Sequence, residues 1–289
     1  MASVEDDLSA CVEGWRPAPV ETTGRLDPWP VEAFAALLDQ PAPVGELPPL
    51  WHWLHLLDHP GQRELGDDGH PVAGAFLPPI PDRRRMFAGG RLTVRSPLPI
   101  GEEVVRRSSV VEVAPKSGRS GAMVFVTVRH ELLRDGEVAV VEEQDLAYRS
   151  QVAGTARGLP AELPVVGEHT PGRWHLRLDP TPALLFRFSA LTYNAHRIHY
   201  DAPYVTEVEG YPGLVVHGPL LALLMLELPR RHAPDVGIER FEFRLRRPAF
   251  AGVPVVVDGD PGSDRDGELT AAVPGQPPSA TGRFAEAGR

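Results

Sequence analysis

Apolar and polar positions alternate along parts of the chain and recur at helical spacing in others. Ala122, Val124, Val126 and Val128 alternate with Met123, Phe125, Thr127 and Arg129, the period of two expected of a strand. Similar stretches predict strands near 89–96, 103–114, 121–134 and 137–149, with Arg134-Asp135-Gly136-Glu137 as a hairpin turn. Residues 28–39 predict a helix. Asp27 can cap it, Pro28 and Pro30 suit a first turn, and Val31, Phe34, Leu37 and Leu38 follow helical spacing. A proline-rich link spans 41–49, and 60–85 is loop-like, rich in Gly, Pro and Asp. In the second half the pattern predicts a strand at 172–178, short helices near 182–188 and 202–208, and a long buried helix at 218–231. Strands near 238–247, 253–259, 267–273 and 280–285 follow. A long helix followed by antiparallel strands predicts an α+β class, a sheet wrapped around a helix.

The chain also repeats itself. Arg95-Ser96-Pro97-Leu98-Pro99-Ile100-Gly101 and Arg246-Arg247-Pro248-Ala249-Phe250-Ala251-Gly252 share Arg-x-Pro-x-x-x-Gly at an offset of 151, between similar strand-like flanks. Two halves of one fold are the expectation. Upstream, Gly74-Ala75-Phe76-Leu77-Pro78-Pro79 parallels Gly213-Leu214-Val215-Val216-His217-Gly218 at an offset of 139. The shortfall falls where the second half has its apolar helix, so the first half is expected to have lost or shortened that element. Pro78 and Pro79 stand where the second half has His217 and Gly218. Proline has no N–H, so the first half cannot build the same anion-holding turn, and catalysis is assigned to the second. The expected organisation is a degenerate domain over 1–155, a linker over 156–171 and a catalytic domain over 172–289.

Bulk properties narrow the function. The 289 residues suit two ordinary domains. Hydrophobic content of 42% and charged content of 24% are those of a soluble globular protein. A net charge of −10 argues against a nucleic-acid partner, although local arginines could still grip a phosphorylated ligand. Cys11 is the one cysteine, which excludes an intrachain disulfide and fits a reducing, cytoplasmic setting. The acidic N-terminus lacks the apolar core of a signal peptide. The longest apolar run, near 219–228, is about half of the roughly 20 residues needed to span a bilayer.

Candidate chemistry concentrates in residues 186–220. Asn194, His196, His199 and Asp201 lie close together, and His217-Gly218-Pro219 opens the apolar helix. A base facing a helix N-terminus suits a reaction that builds an oxyanion, because the free N–H groups there can hold it. Each group has a structural alternative. A lone histidine such as His199 is commonly a core group satisfied by a carbonyl. His217 is expected to brace the loop that carries Gly218, and Asp201 to cap the helix near 202–208. His196 and Arg197 could orient substrate or form surface contacts. Tyr193 and Tyr211 are read as packing groups, and His52, His55 and His59 as structural. Arg83-Arg84-Arg85 and Arg230-Arg231 could meet phosphates but also read as solvated charge runs.

The second half resembles the MaoC-like (R)-specific enoyl-CoA hydratases and dehydratases. The segments that carry the resemblance are Tyr193-Asn194-Ala195-His196-Arg197-Ile198-His199 and Gly213 to Gly218, with the match at His199, Asp201, His217 and Gly218. The variant resembles the two-domain mesaconyl-C4-CoA hydratase-like subgroup, with related mitochondrial 3-hydroxyacyl thioester dehydratases. Phe76-Leu77-Pro78-Pro79 and Arg84-Arg85-Met86-Phe87-Ala88-Gly89-Gly90-Arg91 are similar to that subgroup's first domain. The resemblance implies a tandem hot-dog fold and hydration of an enoyl thioester or the reverse, with CoA or an acyl carrier protein as carrier and no further cofactor. It implies His199 as acid–base, Gly218 as oxyanion donor and Asn194 as a hydrogen-bonding partner, with His196, Arg197, Gly213 and His217 near the substrate. The family's usual aspartate is Asn194 here, which cannot take a proton, and the usual Asn-Pro is His196-Arg197. Hot-dog domains pair, so monomer and homodimer both fit. A hot-dog thioesterase and a non-catalytic acyl-binding module are the rival functions. A metal set of His196, His199, Asp201 and His217 fits no standard zinc spacing closely.

Overall fold

The computed structural model describes residues 4–118, 121–150, 162–262 and 266–286. The first half contains helix α1 (Val4–Cys11), strand β1 (Val20–Arg25), helix α2 (Pro28–Leu37) and strands β2 (Arg83–Val94), β3 (Glu103–Gly118), β4 (Gly121–Arg134) and β5 (Glu137–Ser150). The second contains β6 (Trp174–Leu178), α3 (Pro182–Leu191), α4 (Gly218–His232), β7 (Ile238–Leu245), β8 (Val255–Pro261), β9 (Asp266–Ala272) and β10 (Ala280–Glu286). All neighbouring strands pair antiparallel.

The sheet order is β1-β3-β4-β5-β2-β7-β10-β9-β8-β6. Taken from each outer edge inward, the two halves repeat one order of succession, 1-3-4-5-2 and 6-8-9-10-7, and meet where β2 pairs with β7. Each copy of the Arg-x-Pro-x-x-x-Gly repeat directly follows a seam strand. A further echo marks the entry to each half. Arg25-Leu26-Asp27-Pro28-Trp29-Pro30 leads from β1 into α2, and Arg177-Leu178-Asp179-Pro180-Thr181-Pro182 leads from β6 into α3.

Helix α4 packs against β6, β8, β9 and β10. Leu220, Leu221, Leu223, Leu224, Met225 and Leu228 are all buried, so the helix is apolar on every side, as a helix enclosed by a sheet must be. Each such burial contributes about 1.5–3 kcal/mol. A sheet wrapped on one apolar helix is the hot-dog arrangement, complete in the second half and repeated as a sheet without that helix in the first. The first half has no counterpart of α4: among the described residues no helix lies between the 3-10 turn at Gln62–Glu64 and β2. Its β4 valines, Val124, Val126 and Val128, pack instead with Leu8, Val12, Ile80, Leu146 and Tyr148.

The seam explains two glycines. A Cβ at Gly89 would lie 2.3 Å from the Phe243 carbonyl oxygen, and one at Gly90 would lie 2.7 Å from that of Glu143. Beside them Asp145 receives Arg91 at 2.9 and 3.0 Å, Arg244 at 2.9 Å and Thr127 at 3.0 Å, so one carboxylate joins the halves.

Two expectations change. Tyr204–Val208 is a π-helical turn. Tyr193 is exposed at φ 50° rather than packed. The linker assigned to 156–171 lies in part outside the described residues, and from 162 to 173 the chain has neither helix nor strand.

Candidate active site

The segment after α3 folds on itself through its own polar groups. The Asn194 N–H donates to the Ser189 carbonyl at 2.9 Å, and Asn194 Oδ1 accepts the His196 N–H at 3.0 Å. This turn delivers the chain into a 3-10 turn, Arg197–His199. His199 is 7% exposed, and its Nδ1 lies 2.7 Å from the Val215 carbonyl oxygen. A carbonyl only accepts, so Nδ1 carries the hydrogen and Nε2 keeps its lone pair. The Val215 N–H in turn donates to the Ile198 carbonyl at 2.9 Å, which locks the His199 segment to the strand-like approach to α4.

The His199 ring stacks on His217 with centroids 3.6 Å apart. His217 is fully buried and its Nε2 meets Ser189 Oγ at 2.8 Å, so it braces the turn as the sequence predicts. Gly218 follows directly and begins α4. No side chain caps this helix, and among the described residues the Gly218 N–H has no acceptor. It is therefore an open donor at the positive end of a helix dipole. A Cβ at position 218 would come 2.3 Å from Leu245 Cδ1, so that side chain would have to move to admit one.

Burial sets the protonation of this cluster. It lowers the pKa of His199 to about 4; the Val215 carbonyl works against the shift and nearby His70 adds to it. Burial also lowers His217, assisted by His199 and His196, and lowers His196, assisted by His70 and His199. At neutral pH the imidazoles are uncharged, the state a general base requires.

The first half reaches into this cluster through residues that the sequence reading passed over as loop. The Asp68 carbonyl accepts the Arg197 N–H at 2.9 Å, and the Asp67 carbonyl accepts Arg197 Nη1 at 2.9 Å. Gly69, at φ 85°, comes so close that a Cβ would lie 1.9 Å from the Ala195 carbonyl oxygen. This docking places the His70 ring 3.9 Å from that of His196, which meets His199 edge-on at 5.6 Å. Asp68 Oδ1 accepts the His70 N–H at 2.9 Å and Oδ2 lies 3.1 Å from His70 Nδ1. Asp68-Gly69-His70 carries a readable signal, since an aspartate commonly bonds the backbone two residues on and so holds residue 70 beside its carboxylate. A cavity of about 240 Å³ opens beside this pair, lined by Asp68, His70, Val72, Leu77, Ile80 and the arginines Arg83 and Arg85, among others. Neither His199 nor Gly218 is among its lining residues.

Several expected contacts resolve into structure. Arg197 Nε and Nη2 bind Asp201 Oδ2 at 3.0 and 2.8 Å, and its guanidinium lies 4.0 Å over the Tyr204 ring. Through these bonds and those to Asp67 and Asp68 it pins the two halves together. Asp201 Oδ1 accepts the Tyr204 N–H at 3.1 Å, as a cap. Gly213 lies in the loop before Val215, nearest to Leu163. His52 pairs with buried Glu142 at 2.7 Å, a structural role. Arg84 binds Glu209 at 2.6 Å. Arg230 and Arg231 both bind Glu227 and Gln40, so neither is a free phosphate contact.

Asp68, His70 and His196 offer polar atoms within 4.8 Å of one another. The two rings are tilted by 37° with centroids 3.9 Å apart, and Asp68 Oδ2 already lies 3.1 Å from His70 Nδ1, so as arranged the carboxylate and that ring nitrogen engage each other rather than one ion. His196, His199, Asp201 and His217 do not converge on one either: Asp201 is held by Arg197 and Tyr204, and His199 and His217 by Val215 and Ser189.

The chain is 47% identical over 239 residues to the mesaconyl-C(4)-CoA hydratase of Chloroflexus aurantiacus, covering 81% of this chain and 83% of that protein. It is 32% identical over 241 residues to the mitochondrial hydroxyacyl-thioester dehydratase type 2 of Schizosaccharomyces pombe, covering 74% and 78%. Among solved structures, HtdX of Mycobacterium tuberculosis superposes with a TM-score of 0.66 at 18% identity, over 93% of this chain and all of that one. A MaoC-like dehydratase from Phytophthora capsici gives 0.65 at 11% identity, over 94% and 95%; these likenesses concern the fold. The family model for hydroxyacyl-thioester dehydratase type 2 matches residues 50–251, across both halves of the sheet, and the chain belongs to that family.

Proposed function

We propose that the protein adds water to the double bond of an α,β-unsaturated acyl thioester, and removes it in the reverse direction. The observation that carries this reading is a neutral His199 with Nε2 unengaged, stacked on the residue that precedes an uncapped helix N-terminus at Gly218. In the forward direction His199 Nε2 takes a proton as the water oxygen bonds to the β-carbon. Negative charge develops on the thioester oxygen, where the Gly218 N–H stabilises it; loss of one such donor costs about 2.7–4 kcal/mol in a comparable site. Asn194 has its oxygen engaged by the His196 N–H, and its amide hydrogens are left to hold the water or the thioester. His196 and His217 shape the wall beside His199. No cofactor beyond the CoA or acyl carrier is required.

A short acyl group would suit the cavity of about 240 Å³ beside Asp68 and His70, smaller than the roughly 300–1,000 Å³ of sites that enclose drug-sized ligands. Its mix of Leu77, Ile80 and Val72 with Arg83 and Arg85 suits a branched or dicarboxylic acyl chain. The 47% identical relative is named for mesaconyl-C(4)-CoA, which supports that class. Incubation with a panel of enoyl-CoAs tests the reading: a mass gain of one water with loss of enoyl absorbance is expected. Release of free thiol would assign a thioesterase instead, and stable binding without turnover a non-catalytic module.

A further inference from the structure

We propose that the Asp68–His70 pair of the first half is the second acid–base unit of the hydration site, supplying the proton-carrying group that Asn194 cannot provide. The inference rests on the hydratase reading and adds a residue to it. Three independent features converge on His70. It is the imidazole of the cluster that lines the cavity. It is also the one with a carboxylate on its ring, Asp68 Oδ2 at 3.1 Å from Nδ1. And the loop that carries it is docked against the catalytic turn by the Asp67 and Asp68 carbonyls, both bound by Arg197, and by the close approach of Gly69 to Ala195.

Addition of water needs one group to accept a proton from water and one to give a proton to the α-carbon. An imidazole that gives a proton must first hold a positive charge, and a neighbouring carboxylate stabilises that charge. His199 has a carbonyl as its partner; His70 has an ionised aspartate. Burial opposes ionisation of Asp68, but its hydrogen bonds from His70 and the nearby rings outweigh that and hold its carboxyl well below the ordinary range. The charged and titratable groups that face His70 are Asp68, Arg85, Arg83 and His196. Burial and the two arginines lower the His70 pKa while Asp68 raises it. The net shift is downward, and Asp68 is the group beside His70 that favours the imidazolium when the ring holds a proton.

The step balances. The O–H bond of water breaks as its oxygen bonds to the β-carbon, and that proton goes to His199 Nε2. The π electrons move to the α-carbon and thioester oxygen, and the α-carbon takes the proton of His70 Nε2. Solvent then reprotonates His70 and deprotonates His199. Dehydration runs the same path backwards, with neutral His70 taking the α-proton and Asp68 balancing the imidazolium that forms. His70 is thus a catalytic residue and Asp68 a positioning residue.

The test uses the full chain with mesaconyl-C4-CoA and crotonyl-CoA as substrates. His70→Gln should lower kcat by at least about 100-fold with KM within a few-fold of wild type and an unchanged thermal midpoint. Asp68→Asn keeps the oxygen that accepts the His70 N–H but removes the counter-charge. It should lower kcat less, and move the alkaline limb of the hydration profile to lower pH, which a purely structural role would not do. In D2O, His199→Ala should still exchange the α-proton of the 3-hydroxyacyl product, whereas His70→Gln should not. If wild type hydrates these thioesters and both first-half variants retain its kcat and pH profile, the inference is overturned and the hydratase reading stands. If activity is lost on chelation and restored by zinc, the pair serves a cation and the inference is likewise overturned. Wild type that hydrates no enoyl thioester overturns the reading beneath it.

Discussion

His199 is neutral because it is enclosed, and that has a measurable consequence for pH. Its folded pKa of about 4 lies below the ordinary value of 6.5. The unfolded chain therefore binds more protons between these values, and stability contributed by the buried neutral ring is present above pH 6.5 and lost as pH falls toward 4. The contribution is on the order of 3 kcal/mol. His55, also lowered to about 4, chiefly by burial and then by His52, acts in the same direction. Urea unfolding of wild type should show a falling free energy from pH 6.5 to 4, with a shallower fall in His55→Gln; parallel slopes would contradict the assignment. Ser189→Ala, which leaves His217 Nε2 without its partner, should cost about 1–3 kcal/mol of stability and reduce turnover because the ring stacked on His199 is no longer held.

At the level of elements, the strands and α4 were legible because periodicity and burial agree there. Val124, Val126 and Val128 fall at every second position and are buried together, and α4 is an apolar run that only a core can hold. Strand β1 was not read because Val20-Glu21-Thr22-Thr23-Gly24-Arg25 is an outer edge strand with no buried residue. The π-helical turn at Tyr204–Val208 is accompanied by contacts of Tyr204 with Glu209 and Arg197, which no local pattern records. The turn carrying His199 and Gly218 was legible through spacing and family motif. Asp68 and His70 were not, since their meaning lies in a neighbour more than a hundred positions away. Leu224→Ala in α4 removes a fully buried side chain and should lower the unfolding free energy by about 2–5 kcal/mol, read by denaturant titration; a change under 0.5 kcal/mol would show that the helix is not the core.

For the molecule as a whole, the repeated strand order means one half could diverge while the other kept its chemistry. The first half has Pro78 and Pro79 where the second has His217 and Gly218, and it has no α4. What it keeps is a sheet to pair with β7 and a loop that docks on the turn carrying His199. Residues 1–155 alone should hydrate no enoyl thioester, and activity in that fragment would overturn the division of labour. Asp145, held by one arginine from each seam strand, joins the halves; the arginines are partly exposed, which screens the pair. Asp145→Ala should therefore cost about 1–3 kcal/mol in thermal or denaturant unfolding.

The central claim is that proton transfer at His199 drives addition of water to an enoyl thioester. The direct measurement is turnover of mesaconyl-C4-CoA by wild type and His199→Ala, followed at the enoyl absorbance, with the thermal midpoint of each protein recorded alongside. A loss of at least about 100-fold in kcat at an unchanged midpoint is the predicted result, and near-normal turnover in the variant would contradict it.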